Sequence, residues 1–258
     1  MNVLKNRDLI QQISKRNIHV RYKGSMLGIC WSLLNPLFLL TVYTFVFGFI
    51  FKAKWGDGSL ASYPVILFSG LIFHFFFIEV LSTSSQLITS NGNYVKKVVF
   101  PLEVLVISNF ISHIFNLLIG FSLLIAAIIV TGGDAINAFF GMLIIAPPFL
   151  ILTLGLSYIF SSFGVYIKDI VHVVGLASTL FLFASPILFP IDTLPEVVQS
   201  VVYINPISFV VDGFRSMAFA TTEFSLYGYA IYSVLSVIFY CLGKIAFRRL
   251  SRGFSDVV

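Results

Sequence analysis

The chain has 258 residues, of which 58% are hydrophobic and only 10% are charged, and its mean hydropathy is +0.99. Soluble domains carry about 25% charged residues, and the apolar runs here reach the length of about 20 residues that a bilayer requires. These values exclude a soluble domain and predict an all-α integral membrane protein. The net charge of +5 comes largely from basic residues near both ends. That placement is typical of cytoplasmic flanks and gives no reason to expect a nucleic-acid partner.

The first 20 residues mix apolar side chains with lysines and arginines. This pattern predicts an amphipathic helix on the inner membrane surface, although a solvated tail that carries only topogenic charge would have the same composition. Arg21 and Lys23 then mark the membrane boundary, because a cation at the centre of a span costs roughly 2.5–3.5 kcal/mol. We therefore assign residues 1–32 to a cytoplasmic interface segment.

Six apolar runs are predicted to cross the membrane. They cover about 33–51, 63–81, 102–130, 136–163, 173–189 and 224–247. With both ends in the cytoplasm, this topology places every lysine and arginine on the inner side except Lys52, Lys54 and Arg215, in agreement with the positive-inside rule. Residues 1–258 then form a single transmembrane domain, in which spans one to five lie within 33–189 and residues 248–258 form a cytoplasmic tail.

The stretch between spans five and six is apolar but is not predicted to be a span. Counting it would place the arginine-rich last residues outside, against the charge rule. Prolines interrupt it repeatedly, and a proline inside a helix removes a backbone hydrogen bond. We predict that residues 190–222 form short outer helices that re-enter the membrane where protein or water shields their backbone. Asp212 and Arg215 lie three residues apart and are predicted to pair on one helical face.

Span three carries polar side chains on one face. Asn109, His113, Asn116 and Gly120 are spaced so that they lie on the same side of a helix. This face is either a polar wall of a conduit or a helix-packing face of small and hydrogen-bonding residues. Glu79, near the inner end of span two, is a candidate proton relay, although a carboxylate at a span end also reaches water.

Signatures of catalysis are missing from the sequence. Gly243-Lys244 is followed by Ile245 and lacks the glycines of a nucleotide-binding loop, and neither G-x-S-x-G nor H-E-x-x-H occurs. Cys30 and Cys241 have no neighbours at metal-ligand spacing, so neither a metal nor a disulfide is expected. We predict no catalytic residue in this chain, and any energy for transport must come from another subunit.

Several short motifs occur in a fixed order along the chain. Arg21-Tyr22-Lys23-Gly24-Ser25 is followed by Leu27-Gly28, Trp31 and Pro36; later come Lys96-Lys97 with Phe100-Pro101, Lys168-Asp169-Ile170, Ser185-Pro186 with Phe189-Pro190, and Asn205-Pro206 with Arg215. This order resembles the membrane subunits of type-2 ABC exporters for polysaccharides, which include O-antigen, capsule and teichoic acid permeases. The likeness extends over nearly the whole chain.

The resemblance implies roles for three groups of residues. The cytoplasmic entrance motif would be Arg21, Tyr22, Lys23, Gly24, Ser25, Gly28 and Trp31. A coupling helix that docks on an ATPase subunit would include Asn91, Gly92, Asn93, Tyr94, Val95, Lys96 and Lys97. The periplasmic gate would include Pro186, Phe189, Pro190, Asn205, Pro206 and Arg215.

The resemblance also implies partners and a location. Two copies of the chain would enclose a channel in the bacterial inner membrane, above two nucleotide-binding subunits that hold ATP and magnesium. A lipid-linked polysaccharide, in the first place O-antigen, would be the substrate. Three alternatives stay open at this point: a type-2 permease for teichoic acid, lipid or drug, a membrane glycosyltransferase, and a stand-alone flippase.

Overall fold

The computed structural model describes residues 6–52, 55, 63–96, 100–191 and 194–258. Every regular element in these ranges is helical, which confirms the predicted fold class at that level. The α-helices are α1 Arg7–Arg21, α2 Trp31–Tyr43, α3 Tyr63–Gln86, α4 Gly92–Val95, α5 Glu103–Val130, α6 Ala135–Tyr166, α7 Ile170–Phe183, α8 Glu196–Val202, α9 Pro206–Phe219, α10 Leu226–Leu250 and α11 Phe254–Val257. Short 3-10 turns precede α2 and α4 and follow α10, and a π-helical segment, Thr44–Ile50, continues α2.

Within the described ranges, five helical segments are long and apolar enough to cross a membrane. They are Gly28–Ile50, Tyr63–Gln86, Glu103–Val130, Ala135–Tyr166 and Leu226–Val257, and each overlaps one of the predicted spans. The second is longer than predicted, because its helix continues past Leu81 to Gln86.

The fifth predicted span is shorter than expected. Its helix, α7, ends at Phe183 after 14 residues and therefore rises only about 21 Å, less than the roughly 30 Å of a hydrocarbon core. The prediction of a span to residue 189 is wrong at this end. Proline has no backbone N–H to donate and disfavours helical backbone at the residue before it, so Pro186 favours a helix that ends shortly before it. The irregular backbone is shielded by protein, since Ser185 and Ile187 are fully buried.

The central helix of the fold is α3. In its most apolar window 78% of the residues are buried, whereas none is buried in the corresponding window of Gly28–Ile50. Helices α5, α6, α7 and α9 all pack against α3. The side chains that α3 buries include Phe73, whose ring contacts Phe149 of α6 and Phe214 of α9, and Phe77, whose ring contacts Phe181 of α7. Helix α3 is therefore the common neighbour of these four helices.

Close approach of helix backbones fixes α6 in place. A Cβ atom added at Gly155 would lie 2.6 Å from the Cα atom of Tyr240 in α10, and one added at Gly243 would lie 2.2 Å from the carbonyl oxygen of Gly155. On its other side, a Cβ atom at Gly164 would lie 1.8 Å from the carbonyl oxygen of Ser85 in α3. Small residues at helix crossings are the usual means of association in lipid, where apolar surface alone does not drive helices together.

The stretch between the last two spans forms two short helices, as predicted, instead of one span. Helix α8 has seven residues and α9 has 14. Asn205 stands between them and joins three elements: its side-chain oxygen accepts from the N–H of Ile207 at the start of α9, while its amide donates to the carbonyls of Phe181 and Ala184 at the end of α7. Pro206 occupies the first turn of α9, where its missing N–H is not needed.

We expect Gly164→Ala to destabilise the fold, because the added methyl group must separate α6 from the backbone of α3. The cost should be about 1–3 kcal/mol and should lower the unfolding temperature in detergent. Gly175→Ala in α7 is the matched control, since nothing lies within 4 Å of a Cβ atom there. Equal unfolding temperatures for the two variants would contradict the packing described here.

Candidate functional site

A polar cluster joins the first helix to the transmembrane core. Nη1 of Arg21 lies 2.6 Å from Oε1 of Glu79 in α3, and Oε2 of Glu79 lies 3.4 Å from Nδ1 of His113 in α5. The hydroxyl of Thr83 lies 2.8 Å from Nε2 of His113 and accepts a hydrogen bond from the amide of Asn109. An ion pair between Arg21 and Glu79 thus links α1 to α3, and the polar contacts of Glu79 and Thr83 with His113 and Asn109 link α3 to α5.

Burial differs across this cluster. The His113 side chain is fully buried, whereas the side chains of Glu79 and Arg21 are 43% and 24% exposed. Arg21 neutralises the Glu79 carboxylate. The ion pair therefore explains why an acidic residue is present at this position, and no role in proton transfer is needed to explain it. The proton-relay hypothesis for Glu79 stays untested.

A cavity of about 460 Å³ opens beside the cluster, between α2, α3 and α5. Its polar wall contains Asn35, Glu79, Thr83, His113 and Asn116, and its apolar wall contains Trp31, Phe68, Ile72, Phe75, Phe76 and Leu117. The polar face predicted in span three is therefore divided: His113, Asn116 and Gly120 line the cavity, whereas Asn109 makes a helix-packing hydrogen bond to α3. Aromatic rings beside hydrogen-bonding groups suit a ligand with both apolar and hydroxyl-bearing faces.

The predicted entrance motif borders this cavity. The Tyr22 hydroxyl donates to Oδ1 of Asn116 at 3.3 Å, and Trp31 lies on the cavity wall. Lys23, Gly24 and Ser25 are exposed in the turn between α1 and α2. Gly24 and Gly28 have φ angles of +88° and +52°, in the left-handed region that favours glycine. The two glycines allow the chain to turn from the surface helix into the first span.

The predicted coupling residues form a 3-10 turn, Thr89–Asn91, followed by α4. Val95 is buried, Asn93 and Lys96 are exposed, and Lys97 lies outside the described residues. The Tyr94 hydroxyl accepts from Nη1 of Arg16 in α1 at 2.7 Å, and its ring centroid lies 4.6 Å from that of Phe100. Asn93 and Lys96 are exposed, whereas Tyr94 packs against Arg16 and Phe100. This arrangement is compatible with docking to another subunit.

Two of the predicted gate residues, Arg215 and Pro186, meet toward the opposite end of α3. Arg215 of α9 is 2% exposed, and its guanidinium donates to the carbonyl oxygens of Pro186, Ile187 and Ile66 and to the hydroxyl of Ser69. The Trp55 ring covers it, with the guanidinium carbon 4.3 Å from the ring centroid. Asp212, one helical turn earlier, adds an attractive charge. Arg215 thus joins α9, α3 and the irregular segment after α7, which is more than the single pair expected from the sequence.

The other predicted gate residues differ in their burial. Pro186 is buried, whereas Phe189 and Pro190 are half-buried in the irregular segment. Sequence reasoning missed Gly70, where a Cβ atom would lie 2.9 Å from Nη2 of Arg215. A glycine in the middle of an apolar span was the available signal, because glycine there often allows another group to approach the helix closely.

Comparison with known proteins decides the family. The profile described as ABC-2 type transporter matches residues 8–219. The chain belongs to the ABC-2 type transporter family. The match runs from α1 to the end of α9 and so includes the entrance, coupling and gate residues. Members of this family are multi-pass membrane subunits without a nucleotide-binding domain, and family membership implies a separate ATPase partner.

Curated relatives carry the ABC-2 likeness over most of the chain. The O-antigen export system permease protein of Klebsiella pneumoniae is 28% identical over 258 residues, which is 97% of this chain and 95% of the relative. A protein of the same description from Myxococcus xanthus is 27% identical over 74% of this chain and 71% of its own length. The polysialic acid transport protein of Escherichia coli is 25% identical over 79% of this chain and 78% of its own length.

We expect Arg21 and Glu79 to be energetically coupled. Arg21→Ala and Glu79→Ala should each lower the free energy of unfolding, and the double variant should show a coupling energy of about 0.5–1 kcal/mol, because the pair is partly exposed. The measurement is a double-mutant cycle by unfolding in detergent. Lys23→Ala, at an exposed position, should be additive with Glu79→Ala; additivity of the Arg21 pair as well would show that no such link stabilises the fold.

Arg215→Lys should destabilise the gate although it keeps the charge. A lysine ammonium is a point charge that cannot reproduce the planar fork, so several buried carbonyls lose a donor. We expect a loss of about 2–4 kcal/mol, measured as a Tm lower by several degrees. Arg249→Lys, at an exposed position of α10, is the control and should leave the Tm unchanged. If both variants melt together, the carbonyl contacts of Arg215 do not stabilise the protein.

Proposed function

We propose that this chain is the channel-forming subunit of an ATP-driven exporter that moves a lipid-linked polysaccharide, O-antigen in the first place, from the cytoplasm across the bacterial inner membrane. The observation that carries the proposal is the cavity beside the entrance motif, which is lined by both aromatic rings and hydrogen-bonding groups. Sugar rings have apolar C–H faces that stack on aromatic side chains and hydroxyls that need polar partners. The relatives described as O-antigen and polysialic acid transport proteins support a glycan, and the second of them makes a capsular polysaccharide the next candidate.

The substrate would enter at the inner surface. The entrance turn presents Lys23 to solvent, while Arg21 is already paired with Glu79. The lipid phosphate would therefore meet Lys23 first, and the glycan would pass along Trp31 and Phe75. Topogenic charge alone is the competing explanation for Lys23.

Energy would come from the partner subunits. The chain has no nucleotide-binding loop of its own, so ATP and magnesium would be held by two ATPase subunits beneath a pair of these chains. The coupling helix, with Asn93 and Lys96 exposed, would receive their movement. Arg215 would hold the periplasmic gate, residues 190–222, against α3 until that movement reaches it.

This assembly fixes the orientation that we propose. Both ends of the chain would lie in the cytoplasm, with α1 on the inner surface and the gate outside. The separation of the two clusters is compatible with it, since Arg21 contacts residue 79 and Arg215 contacts residue 69, about 15 Å apart along α3. A membrane glycosyltransferase is not favoured, because the family consists of transport subunits.

The experiment uses inverted membrane vesicles that contain this chain and its ATPase subunit. ATP-dependent uptake of a lipid-linked O-antigen polymer is the expected activity. Phe75→Ala should reduce uptake about two- to tenfold by removal of a stacking surface, with the ATPase still co-purifying. Phe38→Ala, an exposed phenylalanine outside the cavity, should leave uptake unchanged. No ATP-dependent uptake of any glycan by the unaltered complex would overturn the proposed function.

A further inference from the structure

We propose that the segment of residues 251–258, here called the strut, positions the coupling helix α4 and connects it to α6 and α10. Movement of α4 would then reach the gate through the strut, α6 and α9. The proposal rests on the assignment of α4 as the coupling helix under the proposed function. It concerns positioning residues, since the strut would act through α4 and not on the substrate.

Helix α4 is too short to be stable without contacts from other elements. It has four residues, Gly92–Val95, and a single helical turn is not stable without tertiary contacts. On one side Tyr94 contacts Arg16 and Phe100. On the other side the strut approaches so closely that a Cβ atom at Gly92 would lie 2.9 Å from Cγ1 of Val258. The position of α4 therefore depends on the strut as well as on α1.

The strut itself is held firmly. The Phe254 side chain is fully buried, with its ring centroid 5.7 Å from that of Phe247 in α10 and 6.0 Å from that of Tyr166 at the end of α6. The Tyr166 hydroxyl donates to the carbonyl oxygen of Leu250 at 3.0 Å. Phe247 and Phe254 belong to the same hydrophobic cluster as Val95 of α4. One packed unit thus contains α4, the strut and the inner ends of α6 and α10.

From this unit a packed route leads to the gate. Backbone contact at Gly155 and Gly243 keeps α6 and α10 together. Farther along α6, a Cβ atom at Gly141 would lie 3.2 Å from Cβ of Met217 in α9, and one at Gly213 of α9 would lie 3.0 Å from Ile145. Helix α9 carries Arg215. A displacement of α4 is therefore transmitted through the strut and α6 to α9 without passing through α3 or α5.

The first test separates coupling from folding. Phe254→Ala in the complete complex should leave ATPase co-purification and ATP hydrolysis in place and reduce the glycan exported per ATP hydrolysed at least fivefold. Phe254→Leu, which keeps most of the buried volume, should restore that ratio. Val257→Ala is the control, because Val257 is 51% exposed in the same segment. An unchanged ratio in Phe254→Ala would overturn the proposal.

The second test remains decisive if Phe254→Ala does not fold. Gly92→Cys and Val258→Cys are introduced together after the two exposed native cysteines, Cys30 and Cys241, have been replaced by serine. The spacing is short enough for a disulfide. If α4 and the strut move as one unit, oxidation should cross-link them and leave ATP-driven export intact. Export that stops on oxidation and returns with a reductant would refute the strut, whereas no export by the unaltered complex would refute the proposed function instead.

Discussion

The structure depends on how charged side chains are satisfied inside a protein surrounded by lipid. An unpaired charge at membrane depth is costly, so each one must find partners within the protein. Helix α3 provides these partners at both ends: Glu79 for Arg21, and the carbonyl of Ile66 with the hydroxyl of Ser69 for Arg215. These two sets of contacts hold α1 and α9 on one central element. The positions of α1 and α9 in the fold follow from these contacts.

The apolar helices and the family could be predicted from the sequence because the signals for both are local. A run of about 20 apolar residues and an ordered set of motifs need no knowledge of neighbours. The end of α7 was misjudged because hydropathy continues through Pro186 to Phe189 while helical hydrogen bonding does not. The absence of a span over 196–222 was foreseen, since Asn205-Pro206 and the charges of Asp212 and Arg215 interrupt that stretch.

Contacts between distant residues were beyond the sequence. The pairing of Arg21 with Glu79, 58 positions apart, requires α1 to fold back onto α3, and nothing in either segment specifies that partner. For Arg215 the sequence offered Asp212 as a neighbour, whereas the side chain mainly meets backbone carbonyls of other elements. Every residue has a backbone carbonyl, so the amino-acid composition does not show which carbonyls will accept hydrogen bonds from Arg215. The same holds for Gly70, because only the structure shows that the Arg215 guanidinium lies beside it.

The irregular turn after α7 has three consecutive carbonyl oxygens that are all occupied. Those of Pro186 and Ile187 accept from Arg215, and that of Leu188 accepts from the Tyr63 hydroxyl at 2.6 Å. In ion channels, rings of unoccupied carbonyl oxygens replace the hydration shell of a passing cation. In this turn the three oxygens instead accept hydrogen bonds from α3 and α9, so the carbonyl row serves to hold three elements together. Because each bond comes from a side chain of another helix, the turn keeps its irregular shape only while α3 and α9 stay beside it.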